Sequence, residues 1–275
     1  MTLVATPIGN LGDLAPRAVE ALRAADVIAC EDTRHSRKLL SHAGIPAGNR
    51  LLAVHDQNEA ASVKRVLGLL DAGRHVAVVT DAGTPGISDP GERLVRAAAA
   101  AGHTVDTVPA PSAAITALVI SGLPTGRFVF EGFLPRKGHD RTARLADIAA
   151  EQRTTVIYES PHRVADTVDD LADVCGPLRR VALARELTKL HEDVWRGSLV
   201  DAAAHLTEQP PRGEFVIVLD GAPPPAAAQD EDIEAALRQR LANGTDKKTA
   251  IASVAAELGV AKRRVYQIGI ALDPR

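Results

Sequence analysis

The fold can be predicted from one glycine- and proline-rich segment, Thr80-Asp81-Ala82-Gly83-Thr84-Pro85-Gly86-Ile87-Ser88-Asp89-Pro90-Gly91. The β-branched run at 75–79 precedes it and is typical of a strand that is buried on both faces. The alanine-rich residues 92–101 follow it and predict a helix that ends at Gly102. Strand, glycine-rich turn and helix, in this order, form the unit with which open α/β sheets bind ligands.

The residue types of this segment favour close approach of the backbone to a bound molecule. Its three glycines permit that approach, and its two prolines stiffen the turn. Asp81 is expected at the end of the strand, with its carboxylate facing the crevice. A rigid connection in which Asp89 caps the following helix is the structural alternative. The segment lacks both the Gly-Lys-Ser/Thr of a P-loop and the GxGxxG pattern, so a nucleoside triphosphate or a dinucleotide is not the expected ligand.

The composition indicates a globular protein with more than one domain. The 275 residues are enough for two domains and a small third. Aromatic residues make up only 3%, which argues against a sheet of aromatics that stacks on single-stranded nucleic acid. The net charge is −3, so any contact with nucleic acid must come from local basic patches.

Cysteine usage and the apolar pattern predict a cytoplasmic protein without a metal site. Cys30 and Cys175 are far apart and lack the spacing of metal ligands, so reduced thiols are expected. Met1 is followed at once by a strand-like segment rather than by a signal peptide. The longest apolar run, 113–119, is far too short to span a bilayer.

Strand-like and helical segments alternate over residues 1–111 and predict an N-terminal α/β domain with a mainly parallel sheet. The prolines around residue 110 end this pattern, and a second α/β domain is expected over 112–221. Some of its connections are short, which favours a mixed sheet with antiparallel pairs. The predicted strands are 3–6, 27–30, 51–54, 75–79 and 104–108 in the first domain and 128–133, 154–158, 180–184 and 215–219 in the second.

A proline- and alanine-rich linker, residues 222–230, is expected to lead to a helical module at 231–275. Helices over 247–257 and 261–271 have the spacing of a helix-turn-helix. Basic residues begin both helices and are candidates for contact with nucleic acid, although they are equally typical of solvated helix faces. They are Lys247, Lys248, Lys262, Arg263 and Arg264.

Seven segments carry a resemblance to a known family over almost the whole chain. They are residues 3–11, 30–34, 81–91, 131–135, 158–163, 185–189 and 213–215, which read LVATPIGNL, CEDTR, DAGTPGISDPG, EGFLP, YESPHR, RELTK and GEF. In these segments the chain resembles the 16S ribosomal RNA (cytidine-2′-O)-methyltransferases of the tetrapyrrole methylase superfamily. The resemblance is weakest in the linker and the terminal helices.

The resemblance implies a class III methyltransferase fold, with two α/β domains and S-adenosylmethionine (SAM) in the cleft between them. It also implies a homodimer that methylates the ribose 2′-oxygen of a cytidine in the decoding region of the small ribosomal subunit. The partner would then be 16S rRNA, and the location the cytoplasm.

SAM carries a sulfonium, an ammonium, a carboxylate and an adenine, and a loop of close-approaching backbone beside a carboxylate suits the two cations. In relatives, residues after a proline-serine turn also line the site. Three residues of the second domain would close over the adenine, although these three are equally typical of core. The cofactor-binding candidates are Asp81, Ala82, Gly83, Thr84, Ile87, Ser88, Ser112, Ala113, Ala114, Phe133, Leu134 and Tyr158.

A ribose hydroxyl is a poor nucleophile until it is deprotonated or strongly hydrogen-bonded. Glu159 is the first candidate for this task, as base or orienting group, and Lys189 is the second. His162 and Glu186 also stand at predicted strand ends. As an alternative, Glu159 forms only a structural ion pair with Arg163, four residues on, at the start of a helix.

Further basic residues are candidates for phosphate contacts, although each is more often a solvated surface charge. They are Arg34, Arg37, Lys38, Arg136 and Lys137.

Two functions of other classes remain open. A methylase of small molecules, such as tetrapyrroles, would keep the glycine-rich loop but would not need a basic helix-turn-helix. A DNA-binding regulator would use the terminal helices and keep the α/β part as a sensor. The polar residues at the predicted strand ends speak against the regulator.

Overall fold

The structure is a computed structural model that describes residues 1–55, 58–224 and 228–272. The chain forms two compact units, Met1–Ala222 and Pro223–Arg275. The first unit contains two five-stranded sheets, one on either side of the proline-rich segment near residue 110. Residues 225–227 of the expected linker and 273–275 of the expected helical module lie outside the described residues.

The first sheet is parallel throughout, as the alternating pattern predicts. Its strands are β1 (Thr2–Val4), β2 (Val27–Cys30), β3 (Leu51–Ala53), β4 (Val76–Val79) and β5 (Asp106–Val108). They lie in the order β3-β2-β4-β1-β5, and every residue of β4 is buried. Because β1 and β4 are parallel neighbours, the loops that follow them leave the sheet side by side.

Helices cover both faces of this sheet. Successive residues of a strand point to opposite faces, so each face has its own apolar core beneath the helices. Ile28 and Ala77 belong to one core, and Ala29 and Val78 belong to the other. The covering helices are α1 (Pro16–Ala24), α2 (Thr33–His42), α3 (Glu59–Asp71) and α4 (Glu92–Ala100). The N-cap of α4 is Gly91, at φ +141°, so the alternative in which Asp89 caps this helix is wrong.

The second sheet is mixed, as expected. Its strands are β6 (Phe128–Phe133), β7 (Thr154–Glu159), β8 (Arg180–Arg185), β9 (Asp193–Ser198) and β10 (Phe215–Leu219). In the order β6-β7-β10-β8-β9, only β6 and β7 are parallel; the other pairs are antiparallel. The edge strand β9 was not predicted, because its sequence Asp-Val-Trp-Arg-Gly-Ser is polar and none of its residues is fully buried.

Among the described residues, four helices pack on the second sheet. They are α5 (Ala113–Ile120), α6 (His139–Ala150), α7 (Val164–Cys175) and α8 (Leu199–Glu208). Residues of α5 share a core with alternate residues of β7, β8 and β10. Residues of the other three helices form the core on the opposite face.

The second unit consists of α9 (Asp230–Ala242), α10 (Lys247–Glu257) and α11 (Lys262–Ala271). The last two helices occupy the positions predicted from the sequence, and α9 adds a third. Ile233, Leu237, Val254 and Val265 are buried in a small core that the three helices share. Among the described residues, no helix has the length and apolar character needed to cross a membrane.

Candidate active site

A cavity of about 300 Å³ lies in the first unit and is lined by residues of both sheets. The first sheet contributes the loops after β1 and β4, and the second contributes the carboxyl ends of β7 and β8. Because β10 is antiparallel to both of these strands, its first residue, Phe215, lies level with Glu159 and Arg185. The lining residues are Ile8, Ala82, Gly83, Thr84, Ile87, Ser88, Asp89, Ser112, Ala113, Phe133, Tyr158, Glu159, Ser160, Pro161, Ala184, Leu187, Glu214, Phe215 and Val216.

The glycine-rich loop is fastened to the loop after β1 by its backbone. Thr6 and Gly83 exchange two hydrogen bonds, N to O, of 2.9 and 3.1 Å. Gly83 has φ +81°, and of the residues that the structure describes, a Cβ built on it would meet only Ile8, at 3.7 Å from Cγ2. Further along, a Cβ on Gly91 would stand 2.9 Å from Gly86 N, so the loop closes on itself where only glycine fits.

Nine of the twelve cofactor-binding candidates line the cavity; Asp81, Ala114 and Leu134 do not. Asp81 Oδ1 accepts a hydrogen bond from Asp32 N at 3.2 Å, so its carboxylate ties two neighbouring strand ends together. Ala114 N donates to Tyr158 Oη at 3.1 Å and supports the wall from behind. Leu134 is buried in the core beneath α6 and α7, as its structural alternative states.

Two aromatic side chains form one wall of the cavity. Tyr158 contacts Phe133 edge to face, with ring centroids 5.7 Å apart, and contacts Phe130 in the same way at 4.9 Å. Phe133 is 54% exposed, which is unusual for a phenylalanine and leaves a ring face for a planar ligand. Burial raises the pKa of the Tyr158 hydroxyl, so it stays protonated at neutral pH.

Glu159 lines the cavity, but its carboxylate is already engaged. Oε1 accepts from Ser160 N at 2.8 Å, and Oε2 accepts from Thr167 Oγ1 at 2.9 Å. Arg163 lies 3.5 Å from Oε2, and none of the Glu159 side chain is exposed. This arrangement matches the structural alternative, an ion pair at the start of α7, and it satisfies a buried charge that would otherwise be costly.

Lys189 and Glu186 lie in the loop between β8 and β9. Lys189 Nζ donates to Glu186 Oε1 at 2.8 Å and to Glu214 Oε2 at 2.9 Å. Burial lowers the pKa of Lys189, but the bonds to the two carboxylates outweigh it and the net pKa is raised. Burial raises the pKa of Glu186, but hydrogen bonds from Lys189 and from the Glu214 backbone outweigh it and the net pKa is lowered.

His162, the remaining catalytic candidate, is exposed in the turn before α7 and does not line the cavity. The structure adds cavity residues that were not proposed from the sequence. They are Ile8, Asp89, Ser160, Pro161, Ala184, Leu187, Glu214, Phe215 and Val216. Glu214 could have been noticed, since it belongs to the GEF segment at the start of a predicted strand.

The basic candidates of the first unit are exposed, and one is paired. Arg34 lies 3.0 Å from Asp32 and, with the local backbone, lowers the pKa of that carboxyl to about 2. Arg37 and Lys38 are exposed on α2, and Arg136 and Lys137 are exposed in the turn after β6. No cluster of metal-ligating side chains occurs among the residues that the structure describes.

In the second unit, the five basic candidates do not form a single patch. Lys262 and Arg263 are exposed at the start of α11, whereas Arg264 donates to Asp230 at 2.6 and 2.9 Å. Lys247 is half-buried and lies near Gly269, at the opposite end of α11, because a Cβ built on Gly269 would stand 3.8 Å from Lys247 Cε. Lys248 is exposed next to it.

Comparison with known proteins identifies relatives along the whole chain. The model of the tetrapyrrole (corrin/porphyrin) methylases matches residues 1–203. Proteins named ribosomal RNA small subunit methyltransferase I are 46% identical in Synechocystis, over 98% of this chain and 97% of that one, and 47% identical in Xylella fastidiosa, over 97% of each. The solved uroporphyrin-III C-methyltransferase of Thermus thermophilus, a complex with S-adenosylhomocysteine, shares the fold, with a TM-score of 0.55 and 18% identity over 80% of this chain and 96% of that one.

Proposed function

The chain belongs to the tetrapyrrole methylase family, and we propose that it transfers a methyl group from SAM to the 2′-oxygen of a cytidine ribose in 16S rRNA. The cavity supports the proposal most directly, because glycine-rich backbone and two aromatic side chains line the same space. The relatives that match this chain from end to end are named as methyltransferases of small-subunit ribosomal RNA. A small-molecule methylase, the alternative left open by the sequence, has less support because the relatives extend through the terminal helices as well.

The lining of the cavity fits SAM. SAM would supply an activated methyl group on a positively charged sulfur. Residues 82–84, 87–88 and 112–113 line the cavity, and their backbone could hold the amino-acid part of the cofactor. Phe133 and Tyr158 could flank the adenine ring, while Ile8 and Leu187 exclude water from the reacting centre.

Cofactor binding should depend on the absence of a side chain at Gly83. In Gly83→Val the added carbons would project beside Ile8 into the cavity, and calorimetry with S-adenosylhomocysteine should show at least a tenfold loss of affinity, about 1.4 kcal/mol. Gly102→Val is the matched control, because Gly102 has nearly the same φ, +80°, but no atom of the described chain within 4 Å of an added Cβ. Both variants should lose similar stability from backbone strain, and equal affinity in the two would contradict the assignment.

The product should be a ribose ether. A 2′-O-methyl group removes the hydroxyl that attacks the phosphate in alkali, so hydrolysis of RNA methylated by the purified protein should leave a protected dinucleotide. The protected dinucleotide should come only from a cytidine of 16S rRNA, whether the substrate is the free RNA or the assembled small subunit. Recovery of the label as a methylated base, or transfer only to a porphyrinoid, would show that the proposal is wrong.

The exposed cations at the start of α11 should strengthen RNA binding without touching the reacting atoms. Charge reversal at Lys262 and Arg263 should raise KM for RNA, leave kcat unchanged, and reduce the slope of log affinity against log salt by roughly 1–2. Reversal of Lys64 and Arg65, an exposed basic pair on α3, is the control. If both double variants bind RNA as the wild type does, the helical unit serves another purpose.

We also propose a homodimer, as the family resemblance implies, located in the cytoplasm with its substrate. The helix α5 is apolar on every face, and Ile115 and Val119 remain 46% and 62% exposed. Val119→Asp should therefore shift the sedimentation coefficient from dimer to monomer, whereas Leu178→Asp, at a residue that is 79% exposed elsewhere, should not. A wild-type chain that sediments as a monomer would contradict the proposal.

A further inference from the structure

We propose that Glu214 is the catalytic residue that accepts the proton of the ribose hydroxyl. Two positioning residues support it: Lys189 holds its carboxylate, and Glu186 holds its backbone and Lys189. The proposal rests on the proposed function, since it assigns a base to that reaction. The sequence predicts Glu159, followed by Lys189, for this role, whereas the contacts of the folded chain favour Glu214.

The earlier candidates are poorly placed or already engaged. Both oxygens of Glu159 accept hydrogen bonds from the protein, and removing those bonds to free an oxygen would leave a buried charge unsatisfied. His162 lies outside the cavity. Lys189 has a raised pKa and donates to two carboxylates, so it carries its proton at neutral pH and cannot accept another.

Glu214 combines access to the cavity with an available oxygen. It lines the cavity, and 76% of its side chain is exposed. Lys189 Nζ holds Oε2 at 2.9 Å, whereas Oε1 has no hydrogen-bond partner within the described part of the chain. A carboxylate that is anchored by one oxygen and open at the other can orient and deprotonate a hydroxyl.

The position of Glu214 is fixed by a frame around Glu186. Glu186 N donates to Glu214 O at 3.0 Å, and Glu214 N donates to Glu186 Oε1 at 2.9 Å. A Cβ on Gly213 would stand 2.4 Å from Glu186 Cδ, and Gly213 has φ +78°, so a side chain there would displace Glu186 and strain the backbone. Glu186 itself has φ +50°, an uncommon backbone conformation for glutamate that these contacts stabilise.

The proton balance of the step is simple. The O–H bond of the ribose hydroxyl would break, and its hydrogen would pass to Glu214 Oε1. The oxygen would use the freed electron pair to bond the methyl carbon while the carbon–sulfur bond of SAM breaks. The electron pair of that bond would stay on sulfur, so the leaving group would be neutral S-adenosylhomocysteine. The proton on Glu214 then passes to solvent when the product leaves. No metal ion or redox partner enters this balance.

The decisive variant is Glu214→Gln in the full chain, with Glu208→Gln as the control, because Glu208 is exposed on α8 and does not line the cavity. In Glu214→Gln we expect kcat to fall about 100-fold or more, the lower range for loss of a general base. KM for RNA, and the calorimetric Kd for S-adenosylhomocysteine, should stay within about twofold of the wild type, because the lost interaction acts only in the transition state.

The positioning role of Lys189 is tested by comparing kcat in variants of Lys189 with kcat in Glu214→Gln. Lys189→Met should lower kcat less than Glu214→Gln does, and Lys189→Arg should restore most of the loss because it again donates to Glu214. Thermal unfolding shows whether each variant is folded. If Glu214→Gln does not fold, Glu214→Asp replaces it in the test, because it keeps the charge and only shortens the side chain.

Wild-type kcat in folded Glu214→Gln would overturn the proposal. Asp89 also lines the cavity, so loss of kcat in Asp89→Asn but not in Glu214→Gln would move the base to the glycine-rich loop and overturn it too. Absence of ribose methylation by the wild-type chain would instead overturn the proposed function, and this assignment with it.

Discussion

The two backbone hydrogen bonds between Thr6 and Gly83 are the contact on which the site depends. They join the loop after β1 to the loop after β4, which parallel pairing has already brought side by side. Gly83 reaches this contact at φ +81°, in a region that other residues enter only with strain. Because the two loops are fastened together, Ile8 and Thr84 form one continuous wall rather than two independently moving edges.

The opposite wall uses antiparallel pairing to bring together residues that are distant in sequence. Phe215 lies opposite both Glu159 and Arg185, so the start of β10 meets the ends of β7 and β8. The loop after β8 then reaches across to the first wall, where Asn10 N donates to Thr188 Oγ1 at 3.1 Å. Thr188 has φ +65°, and no Cβ would fit at Gly9 beside Lys189. The two walls therefore have fixed relative positions at one end of the cavity.

The fold could be predicted from the sequence because its signals are local. The apolar runs, the glycine-rich loop and the proline-rich boundary each depend on neighbouring residues, and the resemblance supplied the class of fold. The edge strand β9 was missed because it buries too little to show an apolar pattern.

The contacts of individual side chains could not be predicted, because they join residues that are distant in sequence. The carboxylate of Asp81 is expected to face the crevice, but it accepts a hydrogen bond from Asp32 N, a contact that depends on strand order. Arg264 was grouped with its basic neighbours, although Asp230, thirty-four residues earlier, neutralises it. The GEF segment draws attention to Glu214, but its contacts with Lys189 and Glu186 depend on strand register and could not be predicted from the sequence.

The charges beside Glu214 also make a contribution to stability that depends on pH. The pKa of Glu186 is lowered in the folded state, so its contribution to stability is present above the pKa of an unfolded glutamate and is lost as pH falls through the lowered value. The pKa of Lys189 is raised, so its contribution is present below the pKa of an unfolded lysine and is lost as pH rises through the raised value. Both contributions are present together from about pH 5 to pH 10, the interval between the unfolded values. At neutral pH both contributions are therefore present, and Lys189 and Glu186 keep the opposite charges through which they contact each other and Glu214.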